Sequence, residues 1–161
     1  MKPRFQPMFH LFHRATADRR TMILALLVAV ALVLPATSIA AEDGGLIAAD
    51  AAYRQAQRQT LTIFDVRSPG EWRQTGVPAG ARRVTIHDPG GLAGFVAAIK
   101  RSVDGDLDRP LAVICARGNR STRAREALRA AGFKNVGNIR EGMLGSAFGS
   151  GWLGRGLPVE R

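Results

Sequence analysis

Between residues 46 and 139, short runs of β-branched, aliphatic and aromatic residues alternate with segments whose apolar residues recur at helical spacing. "LIAADAAYRQAQRQ" (46–59) has the helical period, and "TLTIFDV" (60–66) has the length and composition of a strand. A polar stretch, "RSPGEWRQTG", reads as a turn with a single helical turn, and "ARRVTIH" (81–87) as a second strand. The stripe in "GGLAGFVAAIKRSV" (90–103) predicts another helix, and "DGDLDRP" is turn chemistry ahead of a third strand, "LAVICA" (111–116). "NRSTRAREALRAAG" puts Ala124, Ala127, Leu128 and Ala131 on one helical face and ends on Gly132 as a cap; "NVGNI" (135–139) is a fourth strand. The Gly-rich tail from Arg140 reads as loop. Strands and helices in alternation predict an α/β domain, a parallel sheet covered on both faces.

The first forty residues follow a different pattern. Lys2, Arg4, Arg14, Arg19 and Arg20 precede the uncharged apolar run "MILALLVAVALVL" (22–34), and Pro35 leads into "ATSIA". A basic region, an apolar region and small residues at Ser38 and Ala40 predict a secretory signal over 1–40, cleaved after Ala40. The alternative is an uncleaved membrane anchor, because 22–41 is just long enough to span a bilayer. Pro35, Thr37 and Ser38 spoil the last third of such a span and favour cleavage. Residues 41–45 then form a short linker and 46–161 one small domain, exported and, on this reading, periplasmic.

The chain has 23 basic and 13 acidic residues, a formal net charge of +10, and without 1–40 the remainder still stands near +6. With aromatics at 6%, the domain is poorly equipped to stack bases, so small anions are expected as partners and nucleic acid is not. No Cys/His spacing suits a metal, and no cofactor is expected. Membrane contact is expected only if the first segment is retained.

Cys115 is the single cysteine, at the point where an apolar strand gives way to a short loop and a helix. One thiol cannot close an intramolecular disulfide, so outside the cytoplasm it is kept either because it is buried or because it reacts. In open α/β sheets, ligands bind beyond the carboxyl ends of the strands, which is where Cys115 lies. A loop this short, Ala116, Arg117, Gly118, Asn119, Arg120 and Ser121, is expected to turn its amides toward the sulfur. Those amides, the helix start and two guanidinium groups favour an anion, and the thiolate is the nucleophile. Gly118 suits a tight bend, where a Cβ would crowd the sulfur or its ligand. A purely structural cysteine ending its strand explains Cys115 but not the glycine, both arginines and the Ser121-Thr122 helix start together. No histidine lies near in sequence to act as a base.

"CARGNRS" (115–121) resembles the active-site loop Cys-x-x-Gly-x-Arg-Ser of single-domain rhodaneses, the thiosulfate sulfurtransferases. "IFDVRSPGEW" (63–72), "TGVPAGARRV" (75–84), "AGFKNVGNIREGM" (131–143) and "GWLGRGLPV" (151–159) resemble further family segments. The resemblance implies a three-layer rhodanese-like α/β domain with about five parallel strands and helices on both faces. It implies sulfane sulfur transfer through a Cys115 persulfide, from thiosulfate or a similar anionic donor to a thiol or cyanide. Ala116, Arg117, Gly118, Asn119, Arg120 and Ser121 would bind substrate, and the chain would act as a monomer. The alternative is a non-catalytic or redox-sensing rhodanese-like module. Asp65, Arg67 and Glu71 are expected to fix the neighbouring turn, and Trp72 and Trp152 to pack. Departures from the family pattern are Gly76-Val77, Ala79, Glu141 where glycine is common, and a long "MLGSAFGSG" (143–151). Five steps separate Cys115 from Arg120, one fewer than in the related cysteine phosphatases, which favours a single outer sulfur over phosphate.

Overall fold

The computed structural model describes residues 45–161, where the elements follow as α1 (Ala49–Gln57), β1 (Thr62–Asp65), α2 (Pro69–Thr75), β2 (Val77–Pro78), β3 (Arg82–Arg83), α3 (Gly91–Ser102), β4 (Leu111–Ile114), α4 (Asn119–Ala130), β5 (Val136–Ile139), α5 (Gly151–Gly154) and β6 (Val159–Glu160). The expected signal or anchor over 1–40 and most of the linker lie outside the described residues. Strands β3, β1, β4 and β5 pair in that order, all parallel. The sheet therefore has four strands where about five were expected. Val77 and Pro78 leave it to pair antiparallel with β6, after Gly76 turns the chain at φ +74°.

Side-chain alternation along the strands divides the core into two layers. Phe64, Val66, Leu111, Val113, Cys115 and Val136 pack with Phe95 and Ile99 of α3 and Ala124 and Leu128 of α4. On the other face, Leu61, Ile63, Ala112, Ile114 and Ile139 pack with Ala49 and Ala52 of α1 and Trp152 of α5. Trp152 is fully buried, edge-on to Tyr53 at 5.8 Å between ring centroids, so the glycine-rich tail is docked into the core. The segment predicted as the strand 81–87 makes a ladder over only two residues. It nevertheless runs on beside β1, with Val84 N–H donating to Asp65 O at 3.1 Å and Ile86 N–H to Val66 O at 3.1 Å.

The turn after β1 is held by charge. Arg67 Nη2 donates to Asp65 Oδ2 at 2.6 Å and to Gly76 O at 2.6 Å, while its Nη1 donates to Thr75 Oγ1 at 2.7 Å. Both members of this pair are buried, so each charge depends on the other for compensation. The stretch read as one helical turn is the seven-residue helix α2. It starts on a reciprocal capping box, with Ser68 Oγ accepting from Glu71 N–H and Glu71 Oε2 accepting from Ser68 N–H, and has Pro69 in its first turn. Glu71 also accepts a fork from Arg120, Nη1 to Oε2 at 2.7 Å and Nη2 to Oε1 at 2.6 Å, which ties α2 to α4.

Two stability predictions follow from these ion pairs. Asp65→Asn leaves the Arg67 guanidinium buried without its counter-charge and is expected to lower unfolding free energy by about 3–5 kcal/mol, read by urea denaturation. The Arg120 fork, opposed by partial burial and aided by Ser68, holds the Glu71 carboxyl down to about 2 from an ordinary 4.5. Its folded-state value lies below its unfolded one, so the carboxylate's contribution is complete above pH 4.5 and is lost as pH falls toward 2. Urea midpoints measured across that window should fall less steeply for Glu71→Gln than for the wild-type chain.

Candidate functional site

Strand β4 is buried at every position, and its last pairing partner is Ile114, so Cys115 is the first residue past the ladder. Its side chain, 1% exposed, belongs to the layer beneath α3 and α4. The chain then reverses through Gly118 at φ +96°, and α4 begins at Asn119. Gly118 N–H donates to Cys115 Sγ at 3.1 Å, and the thiol lies 3.5 Å from Ser121 Oγ. Ser121 Oγ and Thr122 Oγ1 both donate to Gly118 O, at 3.0 and 2.8 Å, which holds the bend against the helix. Asn138 Nδ2 donates to Thr122 Oγ1 at 3.0 Å, so β5 supports the same turn.

Of the amides expected to converge on sulfur, that of Gly118 makes the hydrogen bond. The amides that open α4 lie beyond it, with no side-chain cap and no acidic residue in the first turn. That leaves the positive end of the helix available to an anion placed over the loop. Gly118 is required for a reason other than the one expected: a Cβ there would collide with the Arg140 carbonyl oxygen, not with the sulfur.

The two loop arginines are turned to the protein. Arg120 is forked onto Glu71, which together with the smaller fields of Cys115 and Asp65 raises its pKa above the ordinary guanidinium value against partial burial. Arg117, exposed, directs Nη1 to Gly145 O at 3.3 Å. Ala116 is half-buried and its carbonyl accepts from Leu144 N–H at 2.9 Å; Asn119 is exposed at the head of α4. The structure thus brings Cys115, Gly118 and Ser121 into mutual contact and sets Ala116, Arg117, Asn119 and Arg120 around them. Asp65 and Arg67 form the structural pair expected of them.

One supporting residue escaped the sequence reading. Glu141, noted there only as an acid where glycine is common, is buried and accepts from Ala49 N–H at 2.7 Å, Gly151 N–H at 2.9 Å and Arg155 Nε at 2.8 Å. Burial disfavours its charge, but the three donors outweigh it and keep the carboxyl below its ordinary pKa. An acid flanked by Ile139, Gly142 and Met143 was the available signal, because a charge within a buried turn needs partners.

The rhodanese-like domain family model matches residues 48–146. Among solved structures, a rhodanese-like domain from Anabaena sp. is 29% identical, with 63% of this chain and 99% of that chain covered and a TM-score of 0.50. A rhodanese-related protein from Thermoplasma volcanium is 27% identical, covering 71% of this chain and 95% of its own, also with a TM-score of 0.50. The polysulfide-sulfur transferase homodimer from Wolinella succinogenes, 23% identical over 89% of this chain and 93% of its own, shares the fold with a TM-score of 0.53. A comparison with curated proteins returns no match. With the family's segment spanning most of the chain, and its loop lying at the carboxyl end of a central parallel strand, this chain belongs to the rhodanese-like domain family.

Proposed function

We propose that the chain is an exported, monomeric thiosulfate sulfurtransferase that carries sulfane sulfur as a persulfide on Cys115. The observation that carries this reading is the placement of Sγ: at the end of β4, bonded by Gly118 N–H at 3.1 Å, under the uncapped start of α4. A thiol 1% exposed offers its sulfur to a reagent that arrives end-on with one atom. The outer sulfur of thiosulfate meets that requirement. Export rests on the basic and apolar pattern of residues 1–40.

In the first half-reaction, the Cys115 thiolate attacks the outer sulfur of thiosulfate. A sulfur–sulfur bond forms to Cys115, the donor's own sulfur–sulfur bond breaks, and sulfite departs with that electron pair. The terminal persulfide sulfur bears the negative charge and lies over the amides from Ala116 to Ser121, which need no reorganisation to stabilise it. In the second half-reaction, cyanide or a thiolate takes the terminal sulfur, and the electron pair of the cleaved bond returns to Cys115 as thiolate. Arg120, held by Glu71, positions the loop and contributes its field. No step calls for a metal or an organic cofactor. A sensing role fits less well, since Cys115 is buried and is the single cysteine of the chain, with no second thiol to resolve an oxidised form.

Intact-mass measurement of the reduced, purified chain after thiosulfate exposure is expected to show a gain of one sulfur. Cyanide should remove it and release thiocyanate, and Cys115→Ser should show no gain. Absence of loading in the folded wild-type chain would overturn the assignment to thiosulfate.

A further inference from the structure

In the proposed reaction a dianionic donor must be drawn to a buried thiol, yet both arginines of the Cys115 loop are already engaged with the protein. Arg120 gives two of its nitrogens to Glu71, and Arg117 reaches Gly145 O. The next cation along α4 is Arg123. It follows Arg120 by three residues, so both occupy one side of the helix. Arg123 is exposed, and among the described residues no acid pairs with it. With Arg120 it lines a cleft of about 250 Å³ whose other walls include Ile86, His87, Asp88 and Leu92. Arg120 belongs to the Cys115 loop, so the cleft borders that loop, and Ile86 packs in the same apolar cluster as Cys115. The acid in this cleft is tied back: Asp88 Oδ1 accepts Gly90 N–H at 2.8 Å and its carboxyl group lies against Gly94, where a Cβ would overlap it.

We propose that Arg123, with His87 across the cleft, forms an anion subsite that holds the oxyanion end of the sulfur donor while its outer sulfur is directed to Cys115. This rests on the sulfurtransferase reading and assigns the attraction of the donor to a residue outside the loop. Arg123 supplies an exposed guanidinium without an acidic partner among the described residues, able to fork onto two oxygens, and an imidazole N–H of His87 supplies a third donor. Leu92 and Ile86 provide an apolar boundary on one side of the cleft, which lessens the screening of the cation's field.

The test uses the intact chain with Arg123→Gln, Arg123→Lys and, as a control of net charge, Arg101→Gln on α3. Two readouts are taken: the thiosulfate concentration that half-saturates Cys115 loading, and the ratio of Cys115 alkylation rates with anionic iodoacetate and neutral iodoacetamide. Arg123→Gln should raise the first and lower the second, each by about fivefold, the effect of one charge acting across a partly screened cleft. Arg123→Lys should recover most of the loss, and Arg101→Gln should move neither. A variant that merely disturbed the loop would slow both alkylating reagents alike and leave their ratio intact. An unchanged ratio in Arg123→Gln would overturn the subsite even if the wild-type chain loads sulfur normally. A lowered ratio in a chain that never loads would retain the anion subsite and remove thiosulfate as its ligand.

Discussion

The turn that follows β4 and the turn that follows β5 approach so closely that their backbones leave no room for a side chain between them. Gly118 at φ +96° faces the carbonyl of Arg140, and Gly142 at φ +71° faces the carbonyl of Ala116. A Cβ at either glycine would meet main-chain atoms, which cannot rotate aside as a side chain would, and the left-handed backbone adds its own penalty for other residues. The contact is closed by Met143 N–H on Cys115 O at 2.8 Å and Leu144 N–H on Ala116 O at 2.9 Å. The direction of the Cys115 side chain is thereby set from both flanks, by pairing within the sheet before it and by the 140–144 turn beyond it. Glu141, at the centre of that turn, extends the same constraint to the start of α1 and to the tail through Ala49, Gly151 and Arg155.

The charges around the site follow a consistent division. Asp65 with Arg67 fixes the turn after β1, and Glu71 with Arg120 fixes α2 against α4. Both arginines contribute positive field, but each is compensated where it stands, so neither is free to follow a substrate. The amides at the head of α4 are different: their partial charges cannot be titrated, and no side chain caps them. In the proposed reaction these fixed dipoles would hold the terminal sulfur, leaving the donor's oxyanion end to Arg123. In the proposed transfer, dipoles already oriented before the reaction would cost nothing to align as charge develops on the terminal sulfur.

The β4–Cys115–α4 junction was legible in the sequence because its information is local: an apolar run of strand length, a glycine at the bend, and a helical period afterwards. The same holds for the family resemblance, which is concentrated in contiguous motifs. Features made by distant partners were harder to read. Helix α2 looked like one turn because "SPGEWRQT" has few apolar residues, and its support comes from Arg120, 49 residues away. Glu141 looked like a mere departure because one of its partners, Ala49, lies 92 positions away. The tail read as loop on its glycines, whereas Trp152 docks in the core and Val159 pairs with Pro78. The resemblance implied about five strands without placing the fifth, and Val77–Pro78 pair with β6 near the end of the chain, outside the parallel sheet. Two arginines beside a cysteine suggested ligand binding, and composition alone could not show that one faced Glu71.

The orientation of Arg120 bears directly on which group the loop can accept. Phosphate held in a cysteine-centred loop needs several donors around its nonbridging oxygens, and a free guanidinium fork is the strongest of them. Here that fork already lies on the two oxygens of Glu71 at 2.6 and 2.7 Å. Releasing it would leave a carboxylate in the capping box of α2 without its main counter-charge, so phosphate would have to displace an ion pair that also holds two helices together. A terminal sulfur makes no such demand, because one polarisable atom can be held by backbone amides alone. The Glu71–Arg120 pair and the short interval between Cys115 and Arg120 therefore act in the same direction. Both favour the proposed reading, in which the loop takes a single sulfur atom, over one in which it takes a tetrahedral oxyanion.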